Sequence, residues 1–279
     1  MLFSRRHSPT HKLILNAPQP SLEAAARTAL AGGQSRARLF EHNGQRYVVK
    51  RLADQSRGLM QILFMRWLVK RITGQPLPLR TLALNQAAGG MDYEAKRLID
   101  LAAKGVRVPQ VALVMPEFFV LDYCGTVIAT LLESWEADTW RRELVRQAQE
   151  LGEFHAAGHW HGGAQIKNVT LQDGQAYRID FEENFGEYLP LAASQAADLV
   201  LFLNSISLAG PIHEAEARTL LPRLLDAYFA AHPAPEVKAV IRRTAPMFQR
   251  FARFAGLFQR WSRKGIRRVI ILSDILSSV

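Results

Sequence analysis

Asn168 and Asp180 are the two residues whose types and spacing could do chemistry together. Between them, Val169-Thr170-Leu171 and Ala176 to Ile179 flank Asp173-Gly174. That pattern predicts a short hairpin whose strand ends bring the Asn168 amide and the Asp180 carboxylate close. One amide and one carboxylate suit a hard cation such as Mg²⁺, which binds few protein oxygens and takes its other ligands from water and phosphates. Upstream, His155, Gly158 and His161 fall at a His-x-x-Gly-x-x-His spacing, and Asn168 follows seven residues after His161. Gln165 and Glu182 add polar groups inside the same stretch.

A zinc cluster of His155, His159 and His161 is the competing metal reading, because histidines at i and i+4 share a helix face. Gly158 and Gly162-Gly163 break a helix there, and no Cys or acid stands beside these rings, which argues against zinc.

The elements that must position these residues are legible on both sides. The run SLEAAARTALAGG from Ser21 predicts a short helix that stops at Gly32-Gly33. Residues 36–41 and 46–51 alternate around Asn43-Gly44, a hairpin signal that leaves Lys50 near the end of the second strand. The glycines of Gly32-Gly33-Gln34-Ser35 end a helix or offer backbone N–H groups to a phosphate. MDYEAKRLIDLAAKGVRVP predicts an amphipathic helix with Glu94 in its first turn, where an acid also favours the helix dipole. Residues 111–115 and 118–121 read as two further strands, and Asp122-Tyr123-Cys124-Gly125 as the joint after them. Trp140 to Ala157 is a long helix that delivers His155. The apolar run SQAADLVLFLNSI carries one acid, Asp198, which a buried helix does not leave unpaired.

This arrangement resembles the catalytic loop and metal-binding triplet of the protein-kinase-like superfamily, and within it the bacterial lipopolysaccharide-core (heptose/Kdo) sugar kinases. The resemblance rests on His155, Gly158, His161, Asn168 and the triplet Asp180-Phe181-Glu182, and it spans about residues 35–205. It implies an α+β, bilobal protein-kinase-like fold. A basic arm over 1–20 precedes a small β-rich N-lobe over 21–121, a hinge over 122–125 and a mainly helical C-lobe over 126–279. It also implies ATP and Mg²⁺ as cofactors, with Asn168 and Asp180 on the metal, Lys50 on the nucleotide phosphates and Glu94 steadying Lys50. The adenine would lie against the backbone of Asp122 and Cys124, and Asp198 would accept bonds from the catalytic-loop backbone. One position departs from the pattern. Two residues after His161 these families carry the aspartate that receives the substrate proton, and this chain has Gly163. Gln165, Glu182 and His161 are the catalytic candidates that remain.

Composition bounds the setting. The chain has 279 residues, 48% of them hydrophobic and 22% charged, enough for a real core. The lone Cys124 and the absence of a signal-like apolar run in residues 1–16 favour a cytoplasmic setting. The net charge of +10 attracts polyanions: nucleic acid, anionic lipid or phosphorylated sugars. Residues 57–72 are hydrophobic with four cations and no acid, a pattern that fits an inter-lobe core helix or a helix at a lipid surface. From Lys238 to Arg268 there are ten Lys or Arg and no Asp or Glu. Phe248, Phe251, Phe254, Phe258 and Trp261 fall on one side of a helical wheel opposite Arg253, Arg260, Arg263 and Lys264, predicting a single basic amphipathic helix. Its aromatic stripe packs on the core or docks on a membrane, and no recognised nucleic-acid module accompanies the charge.

The expected activity is ATP- and Mg²⁺-dependent phosphoryl transfer to a hydroxyl of an envelope saccharide or lipid. It is expected in the cytoplasm or peripherally at the inner face of the membrane, with an anionic membrane surface as partner. The alternatives are a pseudokinase scaffold acting on a protein partner, favoured by Gly163, and a small-molecule or protein kinase of the same fold.

Overall fold

The computed structural model describes residues 20–52, 93–257 and 263–279, with Leu63, Arg66 and Lys70 between them. The basic arm, apart from Pro20, and nearly all of the segment 57–72 lie outside the described residues. The chain is a mixed α/β protein with two small antiparallel sheets and many helices. It divides into two compact units, one formed by 1–52 with 111–123 and the other by 53–110 with 124–279.

The first unit is built on two hairpins and a helix. Strands β1 (Ala37–His42) and β2 (Gln45–Arg51) pair with Phe40 opposite Tyr47 and Ala37 opposite Lys50. Both turn residues, Asn43 and Gly44, have positive φ (51° and 75°), the twist a two-residue hairpin turn needs and the reason Asn-Gly is found there. Strands β3 (Val111–Val114) and β4 (Phe118–Asp122) complete a sheet of order β1-β2-β4-β3. Helix α1 (Pro20–Ala31) covers it with Leu22, Ala26 and Leu30, spaced four apart, buried on Val49, Leu113, Phe118 and Val120. Gly32 and Gly33 end the helix and lie under the Arg38 guanidinium, where a Cβ on Gly33 would come within 2.6 Å of Nη1.

The second unit holds helix α2 (Tyr93–Ala103), strands β5 (Thr126–Val127), β6 (Val169–Gln172) and β7 (Gln175–Arg178), and the remaining helices. Helix α2 falls within the span 21–121 that the sequence assigns to the strand-rich lobe, yet it groups with the second unit. The physical tie is polar: Arg97 of α2 bonds the carbonyls of Trp160, His161 and Glu183, and Arg107 bonds that of Ala176. Helix α3 (Ile128–Leu131) is short, and α4 (Ala137–Ala156) buries Leu144, Ala148, Leu151 and Phe154. Helix α5 (Leu191–Ile206) is the central buried helix, with Leu199, Phe202, Leu203 and Ile206 in the core. Helix α6 (Glu214–Ala231) packs on α4 at Gly152, where a Cβ would meet the Tyr228 carbonyl at 2.6 Å.

The single C-terminal helix expected from Lys238 to Arg268 is replaced by two, α7 (Pro235–Leu257) and α8 (Arg263–Leu276). The chain reverses, because Arg242 Nε bonds the Val279 carbonyl at 2.9 Å, whereas one continuous helix would hold these residues roughly 55 Å apart. Gln249 bonding Ser277 at 2.6 Å repeats the tie. The side chains of the expected aromatic stripe and of its opposing cations lie outside the described residues. No described helix is long and apolar enough to cross a membrane.

Gly125, just after the last residue of the strand-rich unit's second stretch and Cys124, carries a specific steric demand. It has φ +102°, and a Cβ there would run into the Leu171 carbonyl of β6, whereas Gly174 in the β6–β7 turn has φ +76° and open space. Left-handed backbone alone costs a non-glycine residue about 1–3 kcal/mol, and Gly125→Ala adds a backbone clash that Gly174→Ala does not. Gly125→Ala should therefore lower the melting temperature clearly more than Gly174→Ala; equal melts would show that β6 does not press on this joint.

Candidate active site

The loop that carries the candidate residues begins at a well-formed helix end. At the C-terminus of α4, Gly158 takes φ +82°, its N–H bonds the His155 carbonyl at 2.9 Å, and the His159 N–H bonds the Phe154 carbonyl at 3.3 Å. This is the paired reversal that satisfies the last carbonyls of a helix and turns the chain sharply. His161 and Gly162 then donate their N–H groups to the two oxygens of Asp198, at 2.5 and 2.8 Å. Asp198 is fully buried on α5, so the acid that the sequence required to be paired is satisfied by the loop backbone.

Three side chains hold the rear of this loop. His155 Nδ1 and the Tyr228 hydroxyl share a hydrogen bond at 2.7 Å, and His155 Nε2 lies 3.4 Å from Asp198. Gln195 donates to the carbonyls of His155 and His159 at 2.7 and 3.0 Å. Burial holds the His155 pKa below the ordinary histidine range against the raising effect of Asp198. Burial would also push the Asp198 carboxyl up, but its bonds from His155 and the loop hold it below the ordinary carboxylate range. His155 faces Tyr228 and Asp198, and the group of three potential ligands among the described residues does not include His155, His159 or His161.

His161, a catalytic candidate by its spacing, is packed into the interior of the loop. Its ring is buried and stacks on Phe181 with centroids 4.1 Å apart, and Nδ1 accepts the Gly163 N–H at 3.1 Å. Burial lowers its pKa to about 4, with Arg178 and Arg97 acting in the same direction. The ring is therefore neutral at ordinary pH and packed into the loop.

The front of the loop is a chain of short contacts. The Gly163 carbonyl accepts the Asn168 side-chain amide at 2.8 Å and the Gln165 N–H at 2.6 Å. Asn168 closes a 3₁₀ turn (Ile166–Asn168), and its carbonyl accepts the Ile179 N–H at 2.9 Å. The hairpin therefore brings Asn168 beside the residue preceding Asp180, as the spacing predicts. Its turn has Asp173 and Gly174 at φ 51° and 76°, the same device as Asn43-Gly44. Asp180 itself adopts φ 69°, a conformation that Asp tolerates better than most residues.

Beyond the hairpin, one carboxylate oxygen each of Glu94, Asp180 and Glu182 lie within 4.8 Å of one another. Glu94 is buried and the other two are half-buried. Among the described residues this is the set of three potential ligands that could hold a metal ion. Gln165 is half-buried at the turn. Gly163 has ordinary backbone, and a Cβ there would rest 3.5 Å from Asn168 Nδ2 and 3.9 Å from His161 Nδ1, so a larger residue fits.

The other candidates sit elsewhere. Lys50 is buried on β2 of the first unit, between Ala37 of β1 and Phe119 of β4. Asp122 closes β4 opposite Tyr47, and burial raises its pKa. Cys124 is buried in the second unit, where Thr170 Oγ1 donates to its carbonyl at 2.8 Å and lies 3.2 Å from its thiol. Because the hydroxyl has one hydrogen, the thiol is the donor in the second contact. Arg97, Gln195 and Tyr228 are functional neighbours that the sequence reading does not single out. Arg97 has a signal, since it lies three residues after Glu94 on the same helix face.

No protein-family profile matches the chain, and no curated protein matches it. Solved structures that do match include one described as "WaaP in complex with acyl carrier protein". The identity is 16%, the alignment covers 89% of this chain and 96% of that chain, and the TM-score is 0.44. At that distance the chemistry of the present site follows from its own side chains.

The buried histidine sets a pH dependence. His161 titrates near 6.5 when unfolded and at about 4 when folded. The unfolded chain therefore takes up its proton first, and stability present above pH 6.5 is lost as the pH falls toward 4, on the order of 3 kcal/mol. Asp198, with its lowered pKa, acts in the same direction at still lower pH. His161→Asn keeps an acceptor near the Nδ1 position without titrating, so its melting temperature should fall less between pH 6.5 and 4. An unchanged slope would place the acid sensitivity elsewhere.

Proposed function

We propose that this protein is an ATP- and Mg²⁺-dependent phosphotransferase built on a protein-kinase-like plan. The observation that carries the reading is the convergence of Asp180, Glu182 and Glu94 beside a hairpin that fixes Asn168. The donors fit the ion: carboxylates with an amide oxygen form an all-oxygen set suited to a hard cation. Asn168 turns its amide nitrogen to the Gly163 carbonyl, which leaves Oδ1 as the side-chain atom able to face a cation. Asp180 and Asn168 would hold the metal, with Glu182 as a further ligand. When bound, Mg²⁺ neutralises phosphate charge, in a reaction where positioning and electrostatics do most of the catalysis. Lys50 is assigned to the nucleotide phosphates, and the backbone near Asp122 and Cys124 to the base.

Glu182 stands with two other carboxylates, which favours a ligand role over a proton-accepting one. Gly163 then leaves the acceptor without the usual base, a loss of about 10²- to 10⁴-fold in rate. Gln165 is the residue assigned to orient the acceptor. The acceptor class, a hydroxyl of an envelope saccharide or lipid, comes from the motif resemblance and from the net charge of +10. The same positive charge supports docking at an anionic membrane surface. A regulatory scaffold is the second reading, and Gly163 is the observation that favours it.

Mg²⁺ with a nucleotide at about a hundred times Kd should stabilise the wild type by about 2.7 kcal/mol and Asp180→Ala far less. Identical melts with and without ligand in both proteins would remove the nucleotide site. Gly163→Asp should raise turnover at least roughly tenfold, measured as ATP hydrolysis, with nucleotide affinity unchanged. Tight Mg²⁺-nucleotide binding with no turnover in either protein would establish the scaffold.

A further inference from the structure

Three carboxylates converge within 4.8 Å, and their spacing depends on how the backbone that carries them is held. They come from two places in the chain, Glu94 on α2 and Asp180 and Glu182 after β7. Arg97 spans the two. It lies one turn from Glu94 on the same helix face, and Nη1 donates to the carbonyls of His161 at 3.1 Å and Glu183 at 3.0 Å. Nη2 donates to the carbonyl of Trp160. The guanidinium also lies 3.6 Å from the centroid of the Trp160 ring and 5.1 Å from that of Phe181.

The surroundings are shaped around this contact. A Cβ on Gly186 would run into the Trp160 ring. A Cβ on Gly162 would lie 2.8 Å from Glu183 Cβ and 3.0 Å from the same ring. Trp160 is thus held between a cation and two glycine backbones, and the Glu183 carbonyl that Arg97 grips follows directly on Glu182. Moving Asp180 and Glu182 away from Glu94 strains or breaks the charge-assisted bond to the Glu183 carbonyl, while the bonds to Trp160 and His161 hold the guanidinium in place from the other loop. A lysine has the charge, but lacks the planar fork and the flat face that serve carbonyls and indole together.

We propose that Arg97 is the positioning residue that fixes Glu94 against Asp180 and Glu182, and so sets the affinity of the site for a divalent cation. This rests on the metal reading given above. The test pairs hydrogen exchange without metal with Mn²⁺ titration followed by electron paramagnetic resonance, on wild type, Arg97→Met, Arg97→Lys and Asp180→Ala. In Arg97→Met, amides of residues 160–163 and 181–185 should exchange at least roughly tenfold faster while those of α5 and α6 stay protected. Its Kd for Mn²⁺ should rise at least roughly tenfold, and Arg97→Lys should fall between it and wild type. Should Arg97→Met not fold, Arg97→Lys is judged by the same two readouts. Loosened loops with wild-type Mn²⁺ affinity, or unchanged loops, overturn the positioning role when Asp180→Ala weakens Mn²⁺. If wild type and Asp180→Ala take up Mn²⁺ equally, the metal reading itself fails and this inference falls with it.

Discussion

The carboxylate of Asp198 is the interaction on which the site depends. Two consecutive backbone N–H groups, at His161 and Gly162, end on its two oxygens, and both residues sit in a loop with no regular structure to satisfy them. A buried amide without a partner costs about 1–3 kcal/mol, so the loop adopts this path only because α5 brings an acid to meet it. His155 faces the same carboxylate from α4, and Tyr228 reaches His155 from α6. Side chains of three helices thereby agree on the position of one short peptide.

From that peptide the order propagates forward through hydrogen bonds to the main chain. The Gly163 carbonyl fixes the Asn168 amide, the Asn168 carbonyl fixes Ile179, and Asp180 follows in a left-handed conformation. The two hydrogen bonds, at 2.8 and 2.9 Å, are of ordinary length. At the rim, the charged side chain of Arg97 joins α2 to the two loops.

How much of this was legible in the sequence depended on how local the cause was. Asn43-Gly44 and Asp173-Gly174 each announce a hairpin because the turn requires positive φ at two adjacent residues, a demand that residue type alone reveals. Asp198 was legible because one acid in an apolar helix must find a partner. The division into α7 and α8 was not, because the residues from Lys238 to Arg268 read as one helix and the tie of Arg242 to Val279 joins positions far apart in sequence. The roles of Arg97 and Tyr228 were hidden for a related reason: one reads as a surface cation and the other as a core aromatic until their distant partners are known. His161 has the spacing of a catalytic residue, but its stacking on Phe181 and its full burial depend on distant packing that spacing alone does not reveal.

The strand unit is assembled from two stretches of chain, 1–52 and 111–123, separated by residues that belong to the other unit. Strand β2 is interior to its sheet, with β1 on one side and β4 on the other, and Val49 pairs with Val120. During synthesis the β1–β2 hairpin therefore leaves the ribosome with the β4 side of β2 open, and that side stays open until the whole intervening segment has been made. An open strand edge is a template for pairing with other chains. A fragment cut after β2 would keep that edge permanently, and a nascent chain stalled between β2 and β4 would carry the same open edge.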